Sequence, residues 1–187
     1  MKKAAVVFAP GCEEGEALTI VDILRRAEVQ CDIAGLGSNE ITGTHGITMK
    51  ADTIVSEAVC DYDMIILPGG YGGTDAMKAD SLLKECLQKM DREGKMIAAI
   101  CAAPQVLDAA GLLDGKNYTC YPGVRDTISH GIWKEDAVVT DGRLITGQGP
   151  ALVYAFAYTL ADALGADSRT VMKRMAYDRA FDVQEDN

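Results

Sequence analysis

Cys101 stands where a run of small apolar residues gives way to a proline: Met96-Ile97-Ala98-Ala99-Ile100-Cys101-Ala102-Ala103-Pro104. Met96–Ile100 reads as a buried strand. The stretch 102–110 reads as a helix with Pro104 in its first turn, where a missing N–H does little harm. A residue pinned at such a corner is strained and projects its side chain into the crevice above the sheet. The helix start adds unpaired N–H groups and a positive dipole end, which favour a thiolate over a thiol. A buried, inert cysteine is the competing reading, since that is the usual state of a free thiol. Corner and helix start together favour the nucleophile.

Other groups fall where they could serve that sulfur. Glu16 opens the first helix after Cys12-Glu13-Glu14-Gly15, as a dipole-matching acid or as a carboxyl that reaches the thiol. In a partly dry crevice such a carboxyl has a raised pKa and can shuttle a proton. Pro68-Gly69-Gly70 could be a plain turn. Beside a cysteine elbow, its N–H groups and that of Ala102 could hold an oxyanion. His45, in the Thr44-His45-Gly46 turn, and His130 are the two histidines, and neither has a spacing that pairs it with Cys101. Gly149-Pro150 reads as punctuation before a helix.

Strand-like and helix-like segments alternate around these groups. Residues 3–9, 30–36 and 63–67 read as strands, 16–27 and 81–93 as helices, and 41–50 as a hairpin. Residues 117–120 read as a strand, and Asp141-Gly142-Arg143 as the turn between 137–140 and 144–146. Residues 150–164 and 168–176 read as helices, the latter with Ser168 as N-cap. The alternation predicts one α/β domain over 1–187, built on a mostly parallel sheet covered on both faces. In such sheets the working crevice lies at the carboxyl ends of the strands, where 11–16, 68–73 and Cys101 all fall.

The chain carries a net charge of −10, which opposes binding to nucleic acid or an anionic membrane surface. The acidic end Gln184–Asn187 reads as solvated. The six cysteines show no C-x-x-C pair and no metal-like spacing with the histidines, so no metal site is expected. The N-terminal apolar run is too short for a signal peptide and no stretch matches a membrane span, so a cytoplasmic location and reduced thiols are expected.

Taken in order, Gly11-Cys12-Glu13-Glu14-Gly15-Glu16, Val21-Asp22-Ile23-Leu24-Arg25-Arg26, Leu67-Pro68-Gly69-Gly70, Ala98-Ala99-Ile100-Cys101-Ala102-Ala103-Pro104 and Gly147-Gln148-Gly149-Pro150 resemble the ThiJ/PfpI superfamily. The similarity is to the branch containing the Parkinson-disease protein and bacterial deglycase- or glyoxalase III-like members. The resemblance implies a flavodoxin-like three-layer sandwich, a homodimer and a cofactor-independent reactive cysteine. It matches Cys101 to the nucleophile, Glu16 to its carboxylic acid partner, and Gly70 and Ala102 to the backbone donors. It also implies a pocket near Tyr121, His45, Gly69 and Pro150. Tyr121, in Cys120-Tyr121-Pro122, stands where many relatives have a histidine, and His45 where relatives often have an arginine. Ala102 directly after the cysteine argues against a peptidase, and the absence of histidine after His130 argues against an amidotransferase.

The expected activity is therefore on 2-oxoaldehydes such as methylglyoxal, or on early glycation adducts, through a hemithioacetal at Cys101. The alternative is a redox-responsive chaperone or oxidative-stress sensor in which Cys101 is oxidised with little turnover.

Overall fold

The computed structural model describes residues 2–181, and the acidic end Gln184–Asn187 lies outside the described residues. Strand β1 (Lys3–Phe8) is buried from Ala4 to Phe8, as a strand sandwiched between helices must be. It leads to helix α1 (Glu14–Arg26), then β2 (Gln30–Gly35), the antiparallel hairpin of β3 (Glu40–Thr42) and β4 (Thr48–Lys50), and the short β5 (Thr53–Ile54). A 3-10 turn at Glu57–Asp61 precedes β6 (Met64–Leu67), whose residues are all buried. Helices α2 (Tyr71–Ala79) and α3 (Ser81–Arg92) come next, and β7 (Met96–Ile100) and α4 (Pro104–Ala109) form the elbow. The chain closes with β8 (Asn117–Tyr118), β9 (Ile132–Trp133), the hairpin of β10 (Val138–Asp141) and β11 (Leu144–Gly147), and helices α5 (Val153–Ala163), α6 (Ser168–Arg174) and α7 (Tyr177–Phe181).

Seven strands form one sheet in the order β10-β11-β7-β6-β1-β2-β5, parallel except where β10 meets β11. Helix α1 packs on α5, while α2 packs on α3 and α4, so two groups of helices flank the sheet. The expected mostly parallel α/β architecture is present. Because β1 lies between β2 and β6, the chain leaves it in one direction first and the other later. That reversal opens a crevice at the carboxyl ends of β1 and β6.

Several local expectations are corrected. Helix α1 begins at Glu14, not Glu16, because the Glu13 carboxylate caps it by accepting the Glu16 N–H at 2.6 Å. Asp167, not Ser168, caps α6, accepting the Thr170 N–H at 3.1 Å. The elbow helix starts at Pro104, with Cys101, Ala102 and Ala103 forming a turn. Residues 150–152 form a 3-10 turn, and α5 begins only at Val153. Helix α2 was not expected, since Gly72 and Gly73 read as loop. A Cβ at Gly73 would lie 2.6 Å from the Cys12 Cα, so the glycine serves backbone contact with the β1–α1 loop rather than a turn.

The expectation of reduced thiols throughout is overturned by a disulfide between Cys60 and Cys86. Cys86 lies on the buried stripe of α3 with Leu83, Leu87 and Met90, and the 3-10 turn brings Cys60 against that stripe. The resulting Cα–Cα separation of 5.2 Å is within bridging range. Cys12, Cys31 and Cys120 are free and buried, which fits packing roles.

Candidate active site

Cys101 has φ +62°, a left-handed conformation that costs a non-glycine residue roughly 1–2 kcal/mol. Two backbone hydrogen bonds hold it there. Its N–H donates to the Gly147 carbonyl at 2.9 Å, and its carbonyl accepts the Tyr121 N–H at 2.8 Å. The sheet ladder thus runs one residue past β7, the chain then turns, and the side chain is left facing the crevice. Gly69 lies directly beneath it. A Cβ at position 69 would fall 2.6 Å from the Cys101 Cβ and 2.9 Å from Glu16 Oε2, so the site requires glycine there.

Glu16 comes from the first turn of α1 and is fully buried. Its Oε2 accepts the Gly69 N–H at 2.8 Å. Oε1 makes no hydrogen bond of standard geometry among the described residues, although the Cys101 thiol interacts with the carboxyl as a hydrogen-bonding partner. Burial pushes Glu16 up to about 7, against the Gly69 N–H and the Cys101 hydrogen bond, which pull it down. The structure therefore brings together Cys101, Glu16, Gly70 and Ala102, the last two aiming their N–H groups at the sulfur.

The protonation of the sulfur departs from expectation. Burial first, and then the charge and hydrogen bond of Glu16, push the Cys101 thiol up to about 12, and the Gly70 and Ala102 N–H groups offset only part of this. Helix α4 is only six residues long, so the elbow supplies two local donors rather than a long dipole. The causes that involve Glu16 disappear when that carboxyl is protonated. The anionic sulfur thus belongs with a neutral Glu16, and the two groups titrate as one unit.

A cavity of about 290 Å³ opens above the sulfur and is lined by Glu13, Thr44, His45, Gly70, Tyr71, Cys101, Ala102, Tyr121 and Pro150. Tyr121, His45 and Pro150 thus stand on the wall as expected, whereas Gly69 lies under the floor and positions Glu16. Sequence reasoning missed Glu13, Thr44 and Tyr71 as wall residues. Tyr71 was the legible one, as the first residue after the Gly69-Gly70 pair. A larger cavity, about 430 Å³, is lined by Lys95, Lys116 and Arg143 beside Asp91 and Asp141, and no cysteine reaches it.

The Glu14 carboxylate, also buried, accepts the His45 N–H at 2.8 Å and lies 3.2 Å from His45 Nδ1. Burial opposes its charge, but N–H bonds from its own backbone, His45 and Ile47 and the contact with the imidazole outweigh it, and its pKa is lowered. Glu13, Glu14 and His45 bring one donor atom each within 4.8 Å of one another, a spacing that could hold a metal ion. Their oxygens already serve internal bonds, Glu13 to the Glu16 N–H and Glu14 to His45. His130 is not among the lining residues and pairs with Asp108 at 2.7 Å.

A family model described as the DJ-1/PfpI family matches residues 2–163. Protein dj-1beta of Drosophila melanogaster is 37% identical over 172 residues, covering 90% of this chain and 92% of that protein. A deglycase of Pyrococcus abyssi is 36% identical over 127 residues, 66% of this chain and 76% of that protein. Among solved structures, a cysteine-to-alanine variant of a DJ-1 superfamily protein from Salmonella typhimurium superposes with a TM-score of 0.89 at 36% identity, covering 94% of this chain and 98% of that one. Oxidised Toxoplasma gondii DJ-1 superposes with a TM-score of 0.88 at 31% identity over the same shares of the two chains.

Proposed function

The chain belongs to the DJ-1/PfpI family, and from that membership and the site geometry we propose that it is a cofactor-independent cysteine enzyme acting on 2-oxoaldehydes such as methylglyoxal, or on early glycation adducts. One observation carries this reading. The Cys101 sulfur sits on the floor of a small cavity, with the Glu16 carboxyl on one side and the Gly70 and Ala102 N–H groups on the other. The thiol proton passes to Glu16 as the sulfur adds to the aldehyde carbon. The developing oxyanion is stabilised by the two N–H groups and takes a proton from solvent, and the product is a hemithioacetal. A 290 Å³ space suits a substrate of few heavy atoms and leaves no room for a folded peptide. The Pyrococcus relative named a deglycase supports the substrate class.

The test is turnover of methylglyoxal with enantiomer-resolved detection of lactate, expected in the wild type and absent in Cys101→Ala. Lactate formation by Cys101→Ala rejects the mechanism.

A redox-sensor reading is favoured by the same N–H cradle, which would hold an oxidised sulfur, and by the relative whose solved structure is oxidised. Peroxide treatment followed by intact mass measurement separates the two. Two oxygens added at Cys101 with negligible lactate formation favour the sensor.

A homodimer and a cytoplasmic location belong to the same proposal. Among the described residues no helix is long and apolar enough to cross a membrane. A reducing cytoplasm would leave the Cys60–Cys86 pair as thiols.

A further inference from the structure

Lactate formation from a hemithioacetal requires a proton to move between two carbons, and Glu16 is poorly placed to move it. Its carboxyl is fully buried beneath the sulfur, with Oε2 on the Gly69 N–H and the thiol as its other partner. It exchanges a proton with the sulfur, while a substrate joined to that sulfur would extend into the open side of the cavity.

His45 faces that open side from the tip of the β3–β4 hairpin. Its imidazole is mostly exposed, yet its backbone is anchored to the start of α1. Gly11 donates to the Thr42 carbonyl at 2.8 Å, Thr44 donates to the Cys12 carbonyl at 2.8 Å, and the His45 N–H donates to Glu14 Oε1 at 2.8 Å. A Cβ at Gly43 would lie 2.6 Å from the Glu14 carboxyl carbon, so the hairpin rests directly on that carboxylate. The ring is oriented as well as anchored, because Nδ1 lies 3.2 Å from Glu14 Oε2 and 3.7 Å from Glu13 Oε1. Two carboxylates on one nitrogen assign the ring proton to Nδ1 and leave Nε2 as the basic nitrogen. Glu13 gives its other oxygen to the Glu16 N–H, so it orients the ring rather than reacting.

We propose that His45 is a second catalytic residue, a base whose Nε2 takes the proton from the aldehyde carbon of the Cys101-bound hemithioacetal and returns it to the neighbouring carbon. This rests on the dicarbonyl reading above. The C–H bond breaks and its electron pair becomes the double bond of an enediolate. The hydroxyl proton on the sulfur-bearing carbon passes to the oxygen on its neighbour, and His45 then protonates that neighbour. The sulfur-bearing carbon is left as a thioester carbonyl, and the neighbouring carbonyl has become a secondary alcohol. Water cleaves the thioester to lactate and restores the thiol. One carbon is oxidised and the other reduced, so no external oxidant or reductant enters. Glu14 is a positioning residue for this base.

The experiment compares wild type, His45→Gln and Glu14→Gln with methylglyoxal deuterated at the aldehyde carbon. It reads kcat, KM and the rate of Cys101 alkylation by iodoacetamide. The expected result is a loss of kcat of about a hundredfold in His45→Gln, the lower range for a general base. KM and the alkylation rate should stay near wild-type values, and added imidazole should partly restore kcat. A His45→Gln enzyme with kcat within about threefold of wild type overturns the proposal. The parent reading fails differently. Lactate that is absent in wild type, or that persists in Cys101→Ala, removes both claims. Lactate that depends on Cys101 but not on His45 removes this one alone.

Discussion

A single proton shared by two buried side chains is the chemical unit of this site. Glu16 is pushed up to about 7 and Cys101 up to about 12, burial being the first cause in each case. If the pair titrates as a unit, alkylation of Cys101 against pH rises in two steps in the wild type, one near 7 and one near 12. Glu16→Gln removes the charge that raises the thiol, and a single step between those values is expected. Superimposable curves for the two proteins would mean that the carboxyl and the sulfur do not communicate. The same burial has a cost in stability. A carboxyl that goes from 4.5 unfolded to about 7 folded keeps its proton longer in the native state, so stability falls as pH rises between those values. The full displacement corresponds to about 3 kcal/mol. Glu16→Gln should therefore raise Tm at pH 8 and leave it nearly unchanged at pH 4. The placement of Cys101, Gly70 and Ala102 was legible because each sits at a break that sequence marks, a strand end followed by glycine or by a proline-started helix. The raised thiol was not legible, since burial is a property of the packed crevice rather than of the elbow.

Strands β6 and β7 lead to Gly70 and to Cys101, and the segments that feed them are tied together. The turn at Glu57–Asp61 leads into β6 and α3 leads into β7, and the Cys60–Cys86 disulfide joins the two. The cysteines are separated by 26 positions, and closing a loop of that length restricts the unfolded chain by about 3.5 kcal/mol. Reduction, or Cys86→Ser, should lower Tm by several degrees. The crosslink lies at the amino ends of β6 and β7, opposite the cavity, so the rate of Cys101 alkylation should not change. An unchanged Tm would mean that the crosslink does not form or does not stabilise. Sequence spacing gave no sign of this pair, because a separation of 26 positions matches no motif. The hairpin of β3 and β4 was readable from its turn residues, but its docking on Glu14 was not. That contact depends on where α1 starts, and the Glu13 cap that sets the start has the same residue type as its neighbour.

At the scale of the whole molecule, the mostly parallel sheet was the most legible feature, because strand-like and helix-like segments alternate along the chain. The assembly is less so, and it is best argued from what the surface leaves uncovered. Leu18 and Ile47 are both exposed. Leu18 lies one turn beyond Glu14 on α1, and the Glu14 carboxylate accepts the Ile47 N–H at 3.4 Å, so both belong to segments that meet at this carboxylate. A self-complementary contact through this face would bury both on each protomer. The net charge of −10 works against association of two copies, and salt weakens that repulsion. Light scattering should therefore give twice the 19.9 kDa chain mass, with association strengthened by added salt and weakened by Leu18→Asp or Ile47→Asp. A mass of 19.9 kDa at every concentration and salt level would rule the dimer out. A dimer unaffected by either substitution would place the contact elsewhere.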